Sequence, residues 1–185
     1  MEGVASVLDV GCGTGRRLEE LSLYLEDRIE LRGVDVALRD EPPLPCTRTP
    51  ELERFDGRHL AFEDDRFDVV MICYVLHHLN PVQAAALLGE ALRVARRQVM
   101  ILEDSLPHWN LGYRIRNWAH LADTNLLYRS EGGDFQPYLG LQGFLTHDEW
   151  TRLFEGDARV KRVELDGLHG IKRYAHHTLF VLSLD

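Results

Sequence analysis

The sequence has few features of a secreted, membrane-embedded or nucleic-acid-binding protein. Its 185 residues contain no run of 18 apolar residues, so no membrane-spanning helix is expected. The N-terminal residues do not pair a basic segment with an apolar one, and no secretory signal is predicted. The formal net charge of −9 argues against a broad phosphate-binding surface. We therefore expect a cytoplasmic protein with neither membrane nor nucleic acid as its partner.

Cysteine is scarce and scattered. The three thiols, Cys12, Cys46 and Cys73, form no Cys-x-x-Cys pair. This pattern favours reduced cysteines in a reducing compartment and gives no metal-ligand spacing. The sequence thus predicts no disulfide and no metal site.

The composition is that of an ordinary globular domain. Apolar residues make up 45% of the chain and charged residues 28%. A chain of this length can bury about 70% of its unfolded surface in one core. We therefore expect a single domain over residues 1–185.

A glycine-rich turn near the N-terminus is the most informative segment. The run 7–15 reads Val-Leu-Asp-Val-Gly-Cys-Gly-Thr-Gly, and leucines at helical spacing follow it at positions 18, 21 and 25. The pattern predicts a strand over 4–10, a tight turn and a helix over 15–26. Glycine tolerates positive φ and leaves no Cβ between backbone and ligand, and a helix start directs N–H groups at the turn. The segment therefore indicates a cradle for a nucleotide-like ligand.

The details of this turn indicate a ligand without phosphate. The dinucleotide fingerprint is Gly-x-Gly-x-x-Gly, whereas Arg16 occupies the place of its third glycine. Asp9 lies two residues before the first glycine, where a carboxylate would repel a pyrophosphate and attract an ammonium group. Both features disfavour a dinucleotide oxidoreductase.

Further strands and helices alternate along the chain. Strands are predicted over 29–36, 52–55, 67–73 and 98–103, and the proline-rich segment 37–50 disfavours a long helix. Asn80-Pro81 and Thr146 with Glu149 predict two helix starts. Two last strands, over 160–168 and 174–184, have a short connection typical of an antiparallel hairpin. The alternation predicts an α/β fold with a mostly parallel, doubly wound sheet.

Four segments in this order resemble the class I S-adenosylmethionine-dependent methyltransferases, in particular the methyltransferase type 11/12-like domains. They are the loop Asp9–Gly15, Asp35, Asp56-Gly57 and the run Phe67–Leu79, and the resemblance spans about residues 4–104. It implies a Rossmann-like, mostly parallel seven-stranded sheet that ends in an antiparallel C-terminal hairpin. It also implies S-adenosylmethionine as cofactor and S-adenosylhomocysteine as product.

The resemblance assigns roles to particular residues. The methionine end of the cofactor would lie on the glycine loop, that is, on Asp9, Gly11, Cys12, Gly13 and Gly15. Asp35, with Val36 beside it, would accept hydrogen bonds from the ribose hydroxyls, as in other nucleoside-binding sheets. Asp56 and Gly57 would lie near the adenine, and Cys73 would end the fourth strand at the site.

The segment 105–145 is interpreted as an insert on the substrate side. It contains seven of the sixteen aromatic residues, with arginines between them, and is either a lid over an apolar acceptor or a satellite core. His108 follows the fifth strand and is the candidate general base. For His77 and His78 we favour packing or hydrogen bonding over catalysis.

The expected function is methyl transfer from S-adenosylmethionine to a small-molecule acceptor. Two alternatives remain open: a non-catalytic or regulatory cofactor-binding module, and a protein or nucleic-acid methyltransferase. No helix precedes the first strand, so the cofactor would be covered by the insert, by a second copy in a homodimer or by a segment outside this sequence.

Overall fold

A computed structural model describes residues 3–38, 42–45, 48–105, 115, 145–171 and 176–184. In these residues one seven-stranded sheet has the order β3-β2-β1-β4-β5-β7-β6. Its strands are β1 Ser6–Val10, β2 Glu30–Asp35, β3 Glu51–Arg54, β4 Phe67–Cys73, β5 Ala95–Ser105, β6 Val160–Ile171 and β7 His176–Leu184. Strands β1 to β5 pair in parallel, while β7 is antiparallel to both β5 and β6. The predicted fold class, including the antiparallel C-terminal hairpin, is confirmed.

Helices connect the strands. The described helices are α1 Arg16–Ser22, α2 Pro81–Val94 and α3 His147–Phe154, and a 3₁₀ turn covers Leu76–His78. Both predicted helix starts are confirmed: Asn80 caps α2 and Thr146 caps α3, each in a reciprocal capping box with the residue three positions later. These caps satisfy backbone N–H groups that would otherwise lack partners.

The predicted end of the first helix is wrong. The helix was expected to run to residue 26 but stops at Ser22. The N–H groups of Leu23 and Tyr24 donate to carbonyls three residues back, at Glu20 and Leu21, so the chain leaves the α-helix in tighter turns, although Leu25 still packs on the smaller core. The chain turns there and enters β2 at Glu30.

Two apolar layers cover the two faces of the sheet. β4 is buried along its whole length, as its continuous apolar run predicts for a central parallel strand. Alternate residues of β4 face opposite sides: Ile72 packs in the larger core with α2 and α3, and Met71 packs in the smaller core with Leu18 of α1. Successive residues of a strand therefore contact the helices on opposite faces of the sheet.

The described part of segment 37–50 is not helical, in agreement with its proline content. Arg48 holds it to the domain by donating hydrogen bonds to the carbonyls of Asp27 and Ile29, at 2.7 and 2.9 Å. Glu19 of α1 accepts a hydrogen bond from the Leu44 N–H at 3.2 Å. This segment therefore packs against α1, beside the glycine loop.

The carboxyl ends of β1, β2, β4 and β5 lie at one edge of the sheet, and the start of β7 joins them there because β7 is antiparallel to β5. Open parallel sheets bind ligands at this edge. The glycine loop, Asp35 and the end of β4 therefore meet at this edge.

Candidate functional site

The glycine loop leaves β1 with three residues in the left-handed region. Gly11, Gly13 and Gly15 have φ of 79°, 58° and 79°. The N–H groups of Gly11 and Cys12 donate to the carbonyl of Val34 at 2.7 and 3.1 Å, so the loop is fixed to β2. A Cβ added at Gly13 would meet no atom within 4 Å. Space for a ligand is therefore open directly above Gly13.

The other loop glycines are needed for packing. A Cβ on Gly11 would overlap Cγ2 of Val75, and one on Gly15 would lie 2.8 Å from Cδ1 of Leu52. Cys12 is buried under the loop, and burial raises the pKa of its thiol to about 12. Its side chain fills the core, so only its backbone can contact a ligand in the cradle.

Asp9 is a buried acid beneath the cradle. Its side chain is 0% exposed, and Oδ1 has no hydrogen-bond partner in the part of the chain that the structure describes. Arg17 approaches Oδ2 only at 3.5 Å. Burial raises the pKa of Asp9 to about 6, and Arg17 opposes that rise. Within the described residues, Oδ1 therefore lacks the hydrogen-bond partner that a buried carboxylate oxygen normally has.

Asp35 connects β2 to the glycine loop. Its Oδ2 accepts a hydrogen bond from the Gly13 N–H and its Oδ1 accepts one from the Ala37 N–H, both at 2.8 Å. Each carboxylate oxygen has a second lone pair, so Asp35 can still accept bonds from a ligand. Val36, directly after it, is 58% exposed and offers an apolar surface at the same edge.

Asp56 and Gly57 lie beside Val36. Gly57 has φ of 77°, and a Cβ on it would approach Cγ1 of Val36 at 3.1 Å. Oδ1 of Asp56 accepts hydrogen bonds from the N–H groups of Arg58 and His59, both at 2.8 Å, and these bonds lower the pKa of the exposed carboxyl. The structure thus brings the predicted adenine segment next to the predicted ribose segment.

Cys73 and Tyr74 end β4 at the same edge. Cys73 is buried, and burial raises the pKa of its thiol to about 12. Tyr74 has φ of 60°, a conformation that is costly for a bulky residue and is often found at functional sites. Its ring lies 6.0 Å from the Arg17 guanidinium. The end of β4 therefore lies beside the Asp9 carboxylate and its arginine.

A polar group that the sequence analysis missed lies across β4, β5 and β7. Asp104 and His177 are directly opposite in the β5–β7 register, and His177 Nδ1 lies 2.7 Å from Asp104 Oδ1. The same Nδ1 lies 2.8 Å from the Tyr74 hydroxyl. The three residues come from positions 74, 104 and 177, so only the strand register could have revealed their contact. Burial is the largest cause of a raised pKa for Tyr74.

The Glu103 carboxylate accepts hydrogen bonds from the backbone of the turn after β4 and so fixes its position. Its side chain is 0% exposed, and Oε1 accepts hydrogen bonds from the N–H groups of Val75 and Leu76 at 3.0 and 2.7 Å. Oε2 lies 2.6 Å from His77 Nδ1. The interpretation of His77 as a hydrogen-bonded residue is confirmed.

A cavity of about 400 Å³ lies beside this turn, between the start of α2 and α3. Its described lining is mostly apolar and comprises Leu76, His77, Leu79, Pro81, Ala84, Leu145, Glu149, Trp150, Arg152 and Leu153. Ligand pockets of small molecules have this size and this mixture of apolar and few polar groups.

Several predictions fall elsewhere. His108 and nearly all of the insert 105–145 lie outside the described residues, as does Cys46. In the residues that the structure does describe, no group of three His, Cys, Asp or Glu side chains could hold a metal ion. The helices of the described segments include none long and apolar enough to span a membrane.

The fold and site define an α/β domain that presents a glycine cradle flanked by carboxylates at the carboxyl edge of its sheet. Residues 7–98 match the family described as a methyltransferase domain. The chain belongs to the class I S-adenosylmethionine-dependent methyltransferases, as the sequence motifs predict.

Individual relatives support this membership. The chain is 31% identical over 137 residues to a demethylmenaquinone methyltransferase of Roseiflexus castenholzii, covering 71% of this chain and 56% of the relative. It is 30% identical over 152 residues to the demethylmenaquinone methyltransferase of Lactiplantibacillus plantarum, covering 77% and 63%. It therefore spans about six tenths of the length of these relatives.

A solved structure of an S-adenosylmethionine-dependent methyltransferase from Methanosarcina mazei has the same fold. The TM-score is 0.64 at 18% identity, and the match covers all of this chain and 94% of the other.

Proposed function

We propose that this chain binds S-adenosylmethionine on the glycine loop and transfers its methyl group to a small-molecule acceptor. The observation that carries the proposal is the open space above Gly13, whose N–H donates to the Asp35 carboxylate, with the buried Asp9 carboxyl group at the end of β1 beneath the same loop. A pyrophosphate would be repelled by this pair of acids, whereas a phosphate-free nucleoside with a cationic end is attracted by it.

The residues present fit this cofactor. Oδ1 of Asp9, which has no partner in the described segments of the chain, suits an ammonium group, since a buried acceptor gains most from a charged donor. Asp35 suits the ribose hydroxyls. Val36, which packs against Gly57 and is 58% exposed, would offer an apolar surface to the adenine, with Asp56 near its exocyclic amine. Cys12 and Cys73 would contribute backbone and packing, because both thiols are buried and protonated.

Methyl transfer from this cofactor requires few catalytic groups from the protein. When bound, the cofactor supplies an activated methyl group on a sulfonium. The residues at the carboxyl ends of β1 and β4 then have to align the acceptor with that group, which is catalysis by positioning. The rigid turn after β4, held by Glu103, is suited to this task because its backbone N–H groups are fixed by a buried carboxylate.

His177 is proposed as the group that accepts the acceptor's proton. Asp104 is 2.7 Å from Nδ1, so a carboxylate can stabilise the imidazolium that forms. With Nδ1–H directed at Asp104, Nε2 is the ring nitrogen that would take the proton, and the Tyr74 oxygen lies within hydrogen-bond distance of the same Nδ1–H and helps to fix the ring. The earlier candidate, His108, remains a prediction that lies outside the described residues.

The acceptor is proposed to be a small apolar molecule. The cavity beside Leu76 and Trp150 has the size of a small-molecule pocket and mostly apolar walls. Two relatives are named for demethylmenaquinone, which makes a short-chain demethylmenaquinone the first acceptor to test. The net charge of −9 disfavours nucleic acid.

The test is transfer of a labelled methyl group from S-adenosylmethionine to a short-chain demethylmenaquinol, a panel of small phenols and amines, total RNA and a protein extract. We expect label only in organic-extractable small molecules. Label in RNA or protein would contradict the proposed acceptor class. Cofactor binding with no transfer to any of them would favour the non-catalytic alternative.

In the same assay His177→Gln is expected to lower kcat about 100-fold or more, the usual contribution of a general base. Binding of S-adenosylhomocysteine should be unchanged, because His177 lies beyond Tyr74 from the glycine loop. An unaltered kcat would exclude the role. The matched control is His59→Gln, since the His59 side chain is 68% exposed, lies 2.8 Å from Glu90 of α2, and can be replaced without removing the backbone N–H that Asp56 accepts.

A further inference from the structure

The cavity between the start of α2 and α3 has three ionisable side chains in its described lining, and two of them are engaged within the protein. His77 Nδ1 lies 2.6 Å from the buried Glu103 carboxylate. Glu149 accepts hydrogen bonds from the Thr146 N–H and hydroxyl at 2.8 and 3.0 Å, as part of the capping box of α3. The third is Arg152, whose one hydrogen bond in the part of the chain that the structure describes is to a backbone carbonyl.

Arg152 keeps most of its hydrogen-bond donors for a ligand. Its Nε donates to the carbonyl of Asp148, one turn earlier in α3, at 3.1 Å. A guanidinium has five N–H donors, and all except the one at Nε are on Nη1 and Nη2. The bond at Nε helps to fix the group without using the donors on Nη1 and Nη2. Because Arg152 is exposed and also lines the cavity, it lies where the cavity opens to solvent.

The lack of an acid beside Arg152 in the described segments is notable in so acidic a chain. Asp and Glu number 30 against 21 Lys and Arg. Arg93 of α2 lies 2.8 Å from Glu90, and Arg162 of β6 lies 3.0 Å from Glu164. An arginine without such a partner, beside a mostly apolar cavity, offers its charge to a bound molecule. A guanidinium matches a carboxylate in two parallel hydrogen bonds, so a carboxylate is the group that it selects.

The cavity extends from α3 to the turn after β4, and this turn contacts the glycine loop. Leu76 of the turn lines the cavity. Val75, directly before it, packs on Gly11, where an added Cβ would overlap the valine side chain. Arg152 belongs to α3. A molecule in the cavity can therefore have one end near the glycine loop and the other end at Arg152.

We propose that the methyl acceptor is an apolar molecule that carries a carboxylate, and that Arg152 binds this carboxylate while the cavity holds the apolar body. This inference rests on the proposed function, since it narrows the acceptor class of the same site. Arg152 acts on specificity and takes no part in the methyl transfer itself. A neutral acceptor such as a short-chain demethylmenaquinone leaves the donors of Arg152 to water, so its binding does not depend on this residue.

The experiment is calorimetric titration of the full chain, in the presence of S-adenosylhomocysteine, with monocyclic and bicyclic hydroxyaryl carboxylic acids and with the methyl ester of each. Acid and ester share the apolar body and differ in charge. The wild-type protein is expected to bind the best acid about fivefold to thirtyfold more tightly than its ester, the range of one partly exposed charge-assisted pair. This preference should shrink as the salt concentration rises, because salt screens exposed charges.

Arg152→Met is expected to abolish the preference and to leave the affinity for the ester within about twofold of wild type. Arg152→Lys should restore part of it, since the charge remains and the two-pronged geometry is lost. Arg162→Met is the matched control, because the Arg162 side chain is 72% exposed and lies on β6; it should leave both affinities unchanged.

Ala84→Leu tests whether the apolar body lies in the cavity. Ala84 is 6% exposed and lines the cavity, so a larger side chain there should weaken the binding of acid and ester alike. Thermal melting of each variant checks that it is folded.

Four results would overturn the inference: no binding of any acid of the panel, equal binding of acid and ester by the wild-type protein, a preference that survives in Arg152→Met, or affinities that Ala84→Leu does not change. The proposed function has a separate readout, the transfer of a labelled methyl group from S-adenosylmethionine to the acids that bind. Binding that depends on Arg152, without transfer to any acid, would count against the proposed function and leave the carboxylate site in place.

Discussion

Asp9 illustrates a conflict between stability and binding in a single side chain. It is fully buried, its Oδ1 lacks a partner among the described residues, and burial raises its pKa to about 6. Arg17 and Asp35 are the charged groups that act on it, with opposite signs. An acid whose pKa is raised by folding lowers stability wherever it is ionised in the folded state.

Asp9→Asn should therefore stabilise the ligand-free protein. The pKa rise from 3.8 to about 6 corresponds to a penalty on the order of 1–3 kcal/mol, present in full above pH 6. It should fade as the pH falls from 6 to 4, because the unfolded state then also becomes protonated. Urea denaturation at pH 7.5, 6, 5 and 4 measures the difference.

The control for this prediction is Asp27→Asn, since the Asp27 side chain is 96% exposed. Its effect on the free energy of unfolding should be within about 0.5 kcal/mol at each pH. A destabilised Asp9→Asn protein at pH 7.5, or a difference that does not change with pH, would contradict this account of Asp9. The same variant is expected to bind S-adenosylhomocysteine less tightly.

Strand β5 and the turn after β4 depend on each other through Glu103. Its carboxylate accepts bonds from two backbone N–H groups and lies 2.6 Å from His77 Nδ1. Glu103→Ala should lower the free energy of unfolding by about 3 kcal/mol, because two buried donors lose their acceptor.

Thermal and urea unfolding would measure this change. Glu53→Ala on β3 is the control; Glu53 is 49% exposed and should cost less than about 1 kcal/mol. Equal effects of the two substitutions would show that Glu103 does not hold the turn. Since Val75 packs on Gly11, Glu103→Ala should also weaken binding at the glycine loop.

The positions of the strands along the chain and the starts of both well-capped helices could be predicted from the sequence because their signals are local. The continuous apolar run of β4 and the caps at Asn80 and Thr146 need no information from distant residues. The end of α1 could not be predicted, because Leu25 continues the helical spacing although the chain has already turned. Leu25 packs on the smaller core even after the helix has ended, so the apolar pattern alone does not mark that end.

Some residues of the candidate site could likewise be predicted from local motifs, whereas others are brought together only by the fold. The glycine loop, Asp35 and Asp56 follow local motifs, and the fold brings them together at one edge of the sheet. The contacts of Tyr74, Asp104 and His177 arise from the pairing of β4 with β5 and of β5 with β7. Such contacts between residues more than 70 positions apart leave no pattern in one sequence. The contact between Arg17 and Asp9 was not predicted, because the neighbouring Arg16 has the same chemistry. Only the structure shows that Arg17 points at Asp9 whereas Arg16 points at Glu19.

The molecule as a whole combines a strongly acidic surface with one sheet edge that gathers every feature of the site. A net charge of −9 gives little attraction for polyanions, and two of the acids, Asp9 and Asp35, lie at the cradle itself. The class of ligand therefore follows from charge as much as from fold, since related α/β sheets also bind dinucleotides.

Calorimetric titration of the wild-type chain with S-adenosylhomocysteine and, separately, with NAD⁺ tests the central claim most directly. We expect one S-adenosylhomocysteine to bind per chain, with no heat from NAD⁺, and Asp35→Ala should weaken that binding by about 1–3 kcal/mol. Binding of NAD⁺ together with no binding of S-adenosylhomocysteine would contradict a cradle built for a phosphate-free, cationic nucleoside.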